Sequence, residues 1–304
     1  MSEKSTFIRY VHHVLVGALT LTGLLLPAVS ATARSEATGQ PGAGVHPGAT
    51  ARPGAGAANR ADIAPRIFQG RGFDTCQAPD LATMAAWRAS SAYRAVGIYF
   101  GGRARACKSQ AHLTTDWVRQ TTDAGWSLLP IYVGSQSPCV SGSNKNPYRI
   151  DPSTAATQGG TEGADAVDSA QALGLGEGSA LYLDMEAYDI DDKDCAAATL
   201  TFLRGWDRQV RAAGYLAGFY SSADSGIKHV ETARKAGADD LPDVVWYARW
   251  GVSATLTDEP ALSDGAWASH ARIHQYTGSV TESYGGKKLN IDRDLVDAPV
   301  AVVD

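Results

Sequence analysis

The sequence predicts an α/β protein, a single (β/α)8 barrel of the TIM type with too little room for a full helix between its last two strands. Three observations predict it. After residue 65, eight apolar, β-branched or aromatic runs recur between helix-like stretches, and strands alternating with helices form parallel βαβ units. That portion is about 240 residues long, the usual size of such a barrel. Acidic residues and cysteines also recur just behind the strand-like runs, where a barrel gathers its loops on one face. The competing architecture is an open doubly wound sheet. Its dinucleotide signature is missing, because Gly174-x-Gly176-x-Gly178 precedes a strand-like run rather than following one.

Residues 1–33 read as a secretory signal peptide. Lys4 and Arg9 form a positive start, an apolar run follows from about Val14 to Val29, and Ala31-Thr32-Ala33 offers a cleavage site. The run is interrupted by Thr20, Thr22 and Gly23 and is short for a bilayer, which takes about 20 apolar residues. A membrane anchor is therefore the weaker alternative. With no twin-arginine pair, the general secretory route is expected. Residues 34–65 are dominated by Ala, Gly and Pro, and Pro41-Gly42-Ala43-Gly44 recurs as Pro53-Gly54-Ala55-Gly56. Such a segment buries too little to offset its ordering entropy and is expected to be a disordered linker. It is either a tether or a neutral spacer.

The barrel domain is expected over 66–304. Its first strand lies around Gly72-Phe73-Asp74, followed by an amphipathic segment through Met84 and Trp87. Val96 to Phe100 is the second strand. The next helix runs from Thr114 to Asp123, with Thr114 or Thr115 as cap and a stop at Gly125. Leu128 to Val133 is the third strand, and a helix runs from Pro152 to about Leu173. Ala180 to Asp184 is the fourth strand, followed by an Ala-rich helix from about Cys195 to Ala213. Leu216 to Tyr220, Val244 to Trp250, Ile273 to Thr277 and Asn290 to Leu295 complete the eight.

The chain carries a net charge of −5; losing Glu3, Lys4 and Arg9 with the signal leaves −6. No basic stripe exists, so a nucleic-acid partner is excluded. An uncharged or sugar-like substrate suits such a surface. Cys76, Cys107, Cys139 and Cys195 make an even set in an exported chain, implying two disulfides with three possible pairings. Each follows one of the first four strands, so all four sit in loops on one face and neighbouring loops can be bridged. Cys76–Cys107 with Cys139–Cys195 is the pairing expected. No zinc spacing occurs. The acids Asp189, Asp191, Asp192 and Asp194 fail the calcium-loop pattern because Lys193 takes a ligand position, so no metal and no cofactor is expected. A cap for the next helix is the simpler role for that loop.

Asp184-Met185-Glu186 is the main chemical signal. Side chains two apart on a strand share a face, with Cα atoms roughly 6.6 Å apart. Burial and like charge push one acid of such a pair upward in pKa, which provides a general acid near neutral pH. Cleaving a glycosidic bond needs that proton donor and a second carboxylate. Asp74 ends the first strand and Asp292 lies in the last, and first and last strands are neighbours in a closed barrel. A single strand-end Asp is most simply a helix cap or loop hydrogen bond. Four acids on the face where barrel active sites lie favour catalysis.

Gly72-Phe73-Asp74, Leu183-Asp184-Met185-Glu186, Phe219-Tyr220-Ser221, Trp246-x-Ala248-x-Trp250, His274-Gln275-Tyr276-Thr277 and Asn290-Ile291-Asp292 occur in the order seen in family 25 glycoside hydrolases, the lysozyme-type muramidases. From Gly72 onward the chain more closely resembles the secreted actinobacterial glycoside-hydrolase-like domain family of unknown function. That likeness rests on Gly72-Phe73-Asp74-Thr75-Cys76 with Ala78-Pro79, Ala95 to Gly102, and Leu129 to Gly134. The resemblance implies a barrel with Glu186 as proton donor and Asp184 tuning it or orienting substrate. It implies that Asp74 and Asp292 stabilise positive charge at the sugar, or position water or an N-acetyl group. Gln275 joins the substrate-binding set through its motif. Thr75-Cys76 departs from the muramidase pattern, and the loop from Ser135 to Ile150 is long.

Tyr132, Tyr188, Tyr220, Trp250 and Tyr276 lie at or after strand ends, where rings could stack on sugars; packing is the simpler role for each. His112, His229 and His270 offer no nucleophile arrangement, and no Gly-x-Ser-x-Gly elbow exists. The expected protein is a secreted or cell-wall-associated O-glycosyl hydrolase acting on peptidoglycan or a related polysaccharide, with no stable membrane anchor after cleavage. The alternative is a silent barrel that binds glycan or a cell-envelope partner.

Overall fold

The structure, a computed structural model, describes residues 64–303. The expected signal peptide and all but the last two residues of the expected linker lie outside the described residues. Eight strands close a barrel in sequence order. They are β1 (Ile67–Asp74), β2 (Tyr93–Gly101), β3 (Ser127–Tyr132), β4 (Ala180–Asp184), β5 (Leu216–Ser222), β6 (Val244–Ala248), β7 (Arg272–Tyr284) and β8 (Lys287–Pro299). The helices α1 (Leu81–Ser90), α2 (Thr115–Asp123), α3 (Ala155–Ala172), α4 (Lys193–Ala212) and α5 (Lys228–Lys235) follow the first five strands in turn. None of these helices is long and apolar enough to cross a membrane.

The barrel is not wholly parallel, and this corrects the sequence expectation. Strands β1 to β7 run parallel to their neighbours, while β8 is antiparallel to both β7 and β1. Gly285 and Gly286 explain the reversal. Both have positive φ, 55° and 76°, between the paired residues Tyr284 and Lys287. That is the two-residue turn whose twist matches a hairpin, and it replaces a crossover helix. The hairpin tip docks on α1, where the Trp87 indole donates to the Lys287 carbonyl at 2.9 Å. Residues 249–271, between β6 and β7, form turns without a helix.

The period of two along each strand sorts side chains into two cores. Ala95, Leu129, Ile131, Tyr182, Trp246, Ile273 and Val296 fill the barrel interior. Val96, Ile98, Leu128, Leu181, Leu183, Phe219 and Val245 face the helices, where Trp87, Trp117, Phe202 and Trp206 meet them. Helix starts follow local chemistry: Asp80, Thr114 and Asp192 each accept a backbone N–H three residues on, from Thr83, Trp117 and Cys195. Asp192 thus caps α4. Cys76–Cys107 and Cys139–Cys195 are the two disulfides, closing separations of 31 and 56 residues. Each tie removes roughly 4 kcal/mol of unfolded-state entropy in the chain-entropy account.

Helices α3 and α4 touch backbone to backbone, which makes two adjacent glycines unequal. A Cβ on Gly159 would stand 2.0 Å from the Phe202 carbonyl oxygen, whereas one on Gly160 would meet only the Gly205 oxygen at 3.9 Å. Gly159→Ala is expected to lower unfolding free energy by about 1–3 kcal/mol through overpacking. Gly160→Ala should raise it by up to about 1 kcal/mol by reducing backbone entropy. Urea denaturation at constant m-value distinguishes the two; equal effects would show that the helices do not approach this closely.

Candidate active site

On β1, β2, β4, β5 and β7 an inward position near the C-terminal end is polar, and these side chains form much of the mouth. Asp74 ends β1, Tyr99 lies in β2, Asp184 ends β4, Tyr220 lies in β5 and Gln275 in β7. Because β8 runs the opposite way, Asp292 reaches the same level from mid-strand and pairs directly with Asp74 in register. Glu186 sits two residues beyond β4 rather than within it. Asp74, Asp184, Glu186 and Asp292 line one pocket of about 300 Å³, with Tyr99, Arg105, Lys145 and Trp250 among its other walls.

Asp74 is held at both oxygens. The Tyr99 hydroxyl donates to Oδ1 at 2.7 Å and the Gln275 Nε2 donates to Oδ2 at 2.8 Å. Gln275 is fully buried and works as a distributor: its Oε1 accepts from the Tyr220 hydroxyl and from the Trp250 indole, each at 3.0 Å. Room for Asp74 depends on Gly97, where a Cβ would lie 2.5 Å from the Asp74 Cβ. Asp292 Oδ1 accepts the Ser279 N–H. Ser279 has φ 57° within an irregular stretch of β7, which turns that N–H toward the acid.

The Asp184–Glu186 segment is fixed by a side chain from another loop. Gln136, fully buried, donates from Nε2 to the Asp184 carbonyl at 2.8 Å and accepts the Glu186 N–H on Oε1 at 2.9 Å. Met185, between them, is buried on the opposite side with the helix-facing core. Asp184 is 5% exposed, and its Oδ1 has no hydrogen-bond partner. The Glu186 side chain is 45% exposed and lies 3.4 Å from the buried Lys145 ammonium, which also donates to the Ala104 carbonyl at 3.2 Å.

Burial sets the electrostatics. Desolvation, then the Asp292 charge, pushes Asp74 up to about 7. Desolvation, then Glu186, holds Asp184 well above the ordinary carboxylate range. Asp292 is raised mainly by desolvation. Near neutral pH the mouth therefore retains protons that solvent-exposed acids would have lost.

Trp250 is the one expected sugar platform with an open face: it is 56% exposed, lines the pocket and lies over Gly278. The other expected platforms need correcting. Tyr132 faces the helices, where its hydroxyl donates to Asp165 at 2.6 Å. Tyr188 is 4% exposed against His229 and Ser225. Tyr276 lies in a different depression, with Arg71 and Tyr93. Tyr220 and Gln275 reach the site through the hydrogen-bond network rather than by offering a face. Sequence reasoning missed Tyr99, Gln136, Lys145 and Arg105. Tyr99 shares inward parity with Ala95 and could have been found that way; the other three lie in loops without a sequence signal.

Raised acids carry a consequence for stability. The folded state holds the Asp74 proton up to about pH 7, whereas the unfolded chain releases it near the ordinary 3.8. Native protein therefore binds more protons across that window, and Asp74 makes stability fall as pH rises through it. Asp74→Asn should flatten the decline in unfolding free energy between about pH 4 and 7, as measured by denaturant titrations at a series of pH values. An unchanged slope would contradict the burial assigned to Asp74.

The model of the Rv2525c-like, glycoside hydrolase-like domain matches residues 85–296. Among solved structures, the Tat-secreted protein Rv2525c of Mycobacterium tuberculosis in complex with L-tartrate is 18% identical. The match covers 75% of this chain and 96% of that one at a TM-score of 0.50, and it shows the barrel fold. The spore cortex lytic enzyme SleM of Clostridium perfringens is 12% identical, covering 75% of this chain and 67% of its own at a TM-score of 0.47. The modular autolysin LytC of Streptococcus pneumoniae is 10% identical, covering 77% and 46% at 0.44. No curated protein sequence matches. The family match spans well over half the chain, and the protein belongs to the Rv2525c-like glycoside hydrolase-like domain family.

Proposed function

We propose that this protein is an exported glycosidase that cleaves cell-wall peptidoglycan or a related polysaccharide. The observation that carries the reading is the convergence of Asp74, Asp184, Glu186 and Asp292 on one open pocket at the barrel mouth. Glycosidic cleavage requires a proton at the leaving oxygen and negative charge beside the sugar carbon. Asp184 is too buried to ionise readily, and desolvation followed by the neighbouring Glu186 charge holds it well above the ordinary carboxylate range. Of the two, Glu186 reaches the pocket and delivers the proton. Asp74 and Asp292, across the mouth, face the developing positive charge or hold water or an N-acetyl group. Trp250 offers an apolar face to a sugar ring.

Export supports the same reading. Residues 1–33 would be removed as a signal peptide and 34–65 would tether the barrel. Two disulfides suit an oxidising compartment, and Rv2525c is Tat-secreted, although this chain lacks a twin-arginine pair before its apolar run. One observation favours a silent glycan-binding barrel instead: the Lys145 ammonium stands beside Glu186, where it can tie up the donor.

The two readings separate in one assay. Purified cell walls and a panel of glycans are incubated with wild type and with Glu186→Gln, and released reducing ends and turbidity are followed. The glycosidase should release fragments, and Glu186→Gln should lose roughly a hundredfold or more of the rate while still binding walls. Binding by both proteins with no release by either sinks the enzyme.

A further inference from the structure

Asp294 is a further acid of the barrel interior, beyond the four of the pocket, and is not needed by the steps above. It lies two residues beyond Asp292 in β8, on the same face, and is completely buried. The Trp246 indole donates to its Oδ1 at 3.0 Å. Its Oδ2 is buried and meets no N–H or O–H donor. Strand register sets Asp294 diagonally beside Asp74, because Asp74 pairs with Asp292 and Gly72 with Asp294 on the adjoining β1 and β8, and the two buried carboxyl groups interact. Two carboxyl groups share a hydrogen bond only when one of them carries the proton. Asp74 already receives the Tyr99 hydroxyl and the Gln275 amide, whereas Asp294 receives only an indole N–H. The better-supplied group is the better carboxylate.

We infer that Asp294 is a neutral carboxylic acid whose Oδ2–H donates to Asp74, making it the positioning residue that fixes Asp74 at the barrel mouth. The charged and titratable neighbours agree. Asp74 on β1, Tyr99 on β2, Asp184 on β4, Tyr220 on β5 and Asp292 on β8 all face this interior, and none brings positive charge to Asp294. Desolvation, then Asp74 and Asp292, raises Asp294 well above the ordinary carboxylate range. With Asp294 protonated, its orphan oxygen becomes a satisfied donor. Asp74 then has three donors, which favours its carboxylate against the cost of burial.

The inference rests on the glycosidase reading only for its effect on turnover, so the primary test is a titration. The full chain is labelled at aspartate side-chain carbons and followed by carbon NMR through neutral pH. The Asp294 signal, identified by its loss in Asp294→Asn, should keep the shift of a carboxylic acid throughout. In Asp294→Asn the amide can donate to Asp74 and its oxygen can still accept from Trp246, so the Asp74 midpoint should stay near its wild-type value. Asp294→Leu donates nothing and should raise that midpoint. A carboxylate shift for Asp294, or a fall in the Asp74 midpoint in Asp294→Asn, overturns the inference. Asp294→Asn is nearly isosteric and decides the question even if the leucine variant does not fold. In the cell-wall assay Asp294→Asn should retain activity, and Asp294→Leu should lose about ten- to a hundredfold, the worth of one hydrogen bond to a charged group. If wild type releases no fragments, the glycosidase reading fails and the titration still decides the inference.

Discussion

Closing the sheet into a barrel forces every second side chain of every strand into a shared interior that water reaches only from the ends. In the lower layers Ala95, Leu129, Tyr182, Trp246 and Val296 meet this constraint as packed apolar residues. At the mouth the same parity drives Asp74, Asp184, Gln275 and Asp294 into nearly dry surroundings. Ionising a carboxyl there costs several kcal/mol unless donors surround it. The polar groups therefore supply one another, with Tyr99 and Gln275 serving Asp74 and Trp246 serving Asp294. Proton retention near neutral pH follows from where the strands point and requires no separate device.

Reversing β8 sharpens that arrangement. A parallel final strand would bring only its C-terminal end to the mouth, and a crossover helix would be needed to deliver it. The hairpin at Gly285-Gly286 instead lets β8 pass through the mouth at mid-strand. Two inward positions, Asp292 and Asp294, then lie at successive depths beside Asp74, which pairs in register with Asp292. The upper acid is half-open to the pocket and the lower one is sealed. Depth along one strand thus gives two chemically identical groups different degrees of desolvation, raising Asp292 and raising Asp294 well above the ordinary carboxylate range.

Much of the fold was legible because strands and helices here differ in period and the helices carry their own caps. β4 was readable to the residue from Ala180 to Asp184. The reversal of β8 was partly legible, since a Gly-Gly pair between apolar runs is a hairpin signal and no helix fitted there. Which aromatics line the site was not legible. β3 is buried along its whole length, so its residues are apolar on both faces and no alternation marks Tyr132 as outward-facing. Tyr188 is occupied by Ser225 and His229, partners from beyond β5 that only the closed barrel brings near. The four acids of the pocket were legible because an acid within or just after an apolar run is conspicuous. Gln136 and Lys145 were not, because polar residues in a polar loop are unremarkable until the chain folds.

That loop is where the fold's stability and its chemistry meet. The chain from Ser135 to Ile150 supplies Gln136, which grips the peptide on either side of Met185, and Lys145, which stands against Glu186. A loop this long would ordinarily be the most mobile part of a barrel face. Here the Cys139–Cys195 disulfide ties it to α4, and Ser137 Oγ lies 2.8 Å from Thr199 Oγ1 on the same helix. The bond lies outside the pocket, yet the geometry of both Asp184 and Glu186 passes through residues within a few positions of Cys139. Cys76–Cys107 ties the loops after β1 and β2, where both cysteines line the pocket with Asp74. The two cross-links therefore brace neighbouring stretches of the rim, and the acids beside them draw their fixed positions from covalent ties together with the buried Gln136 and Lys145 of the loop.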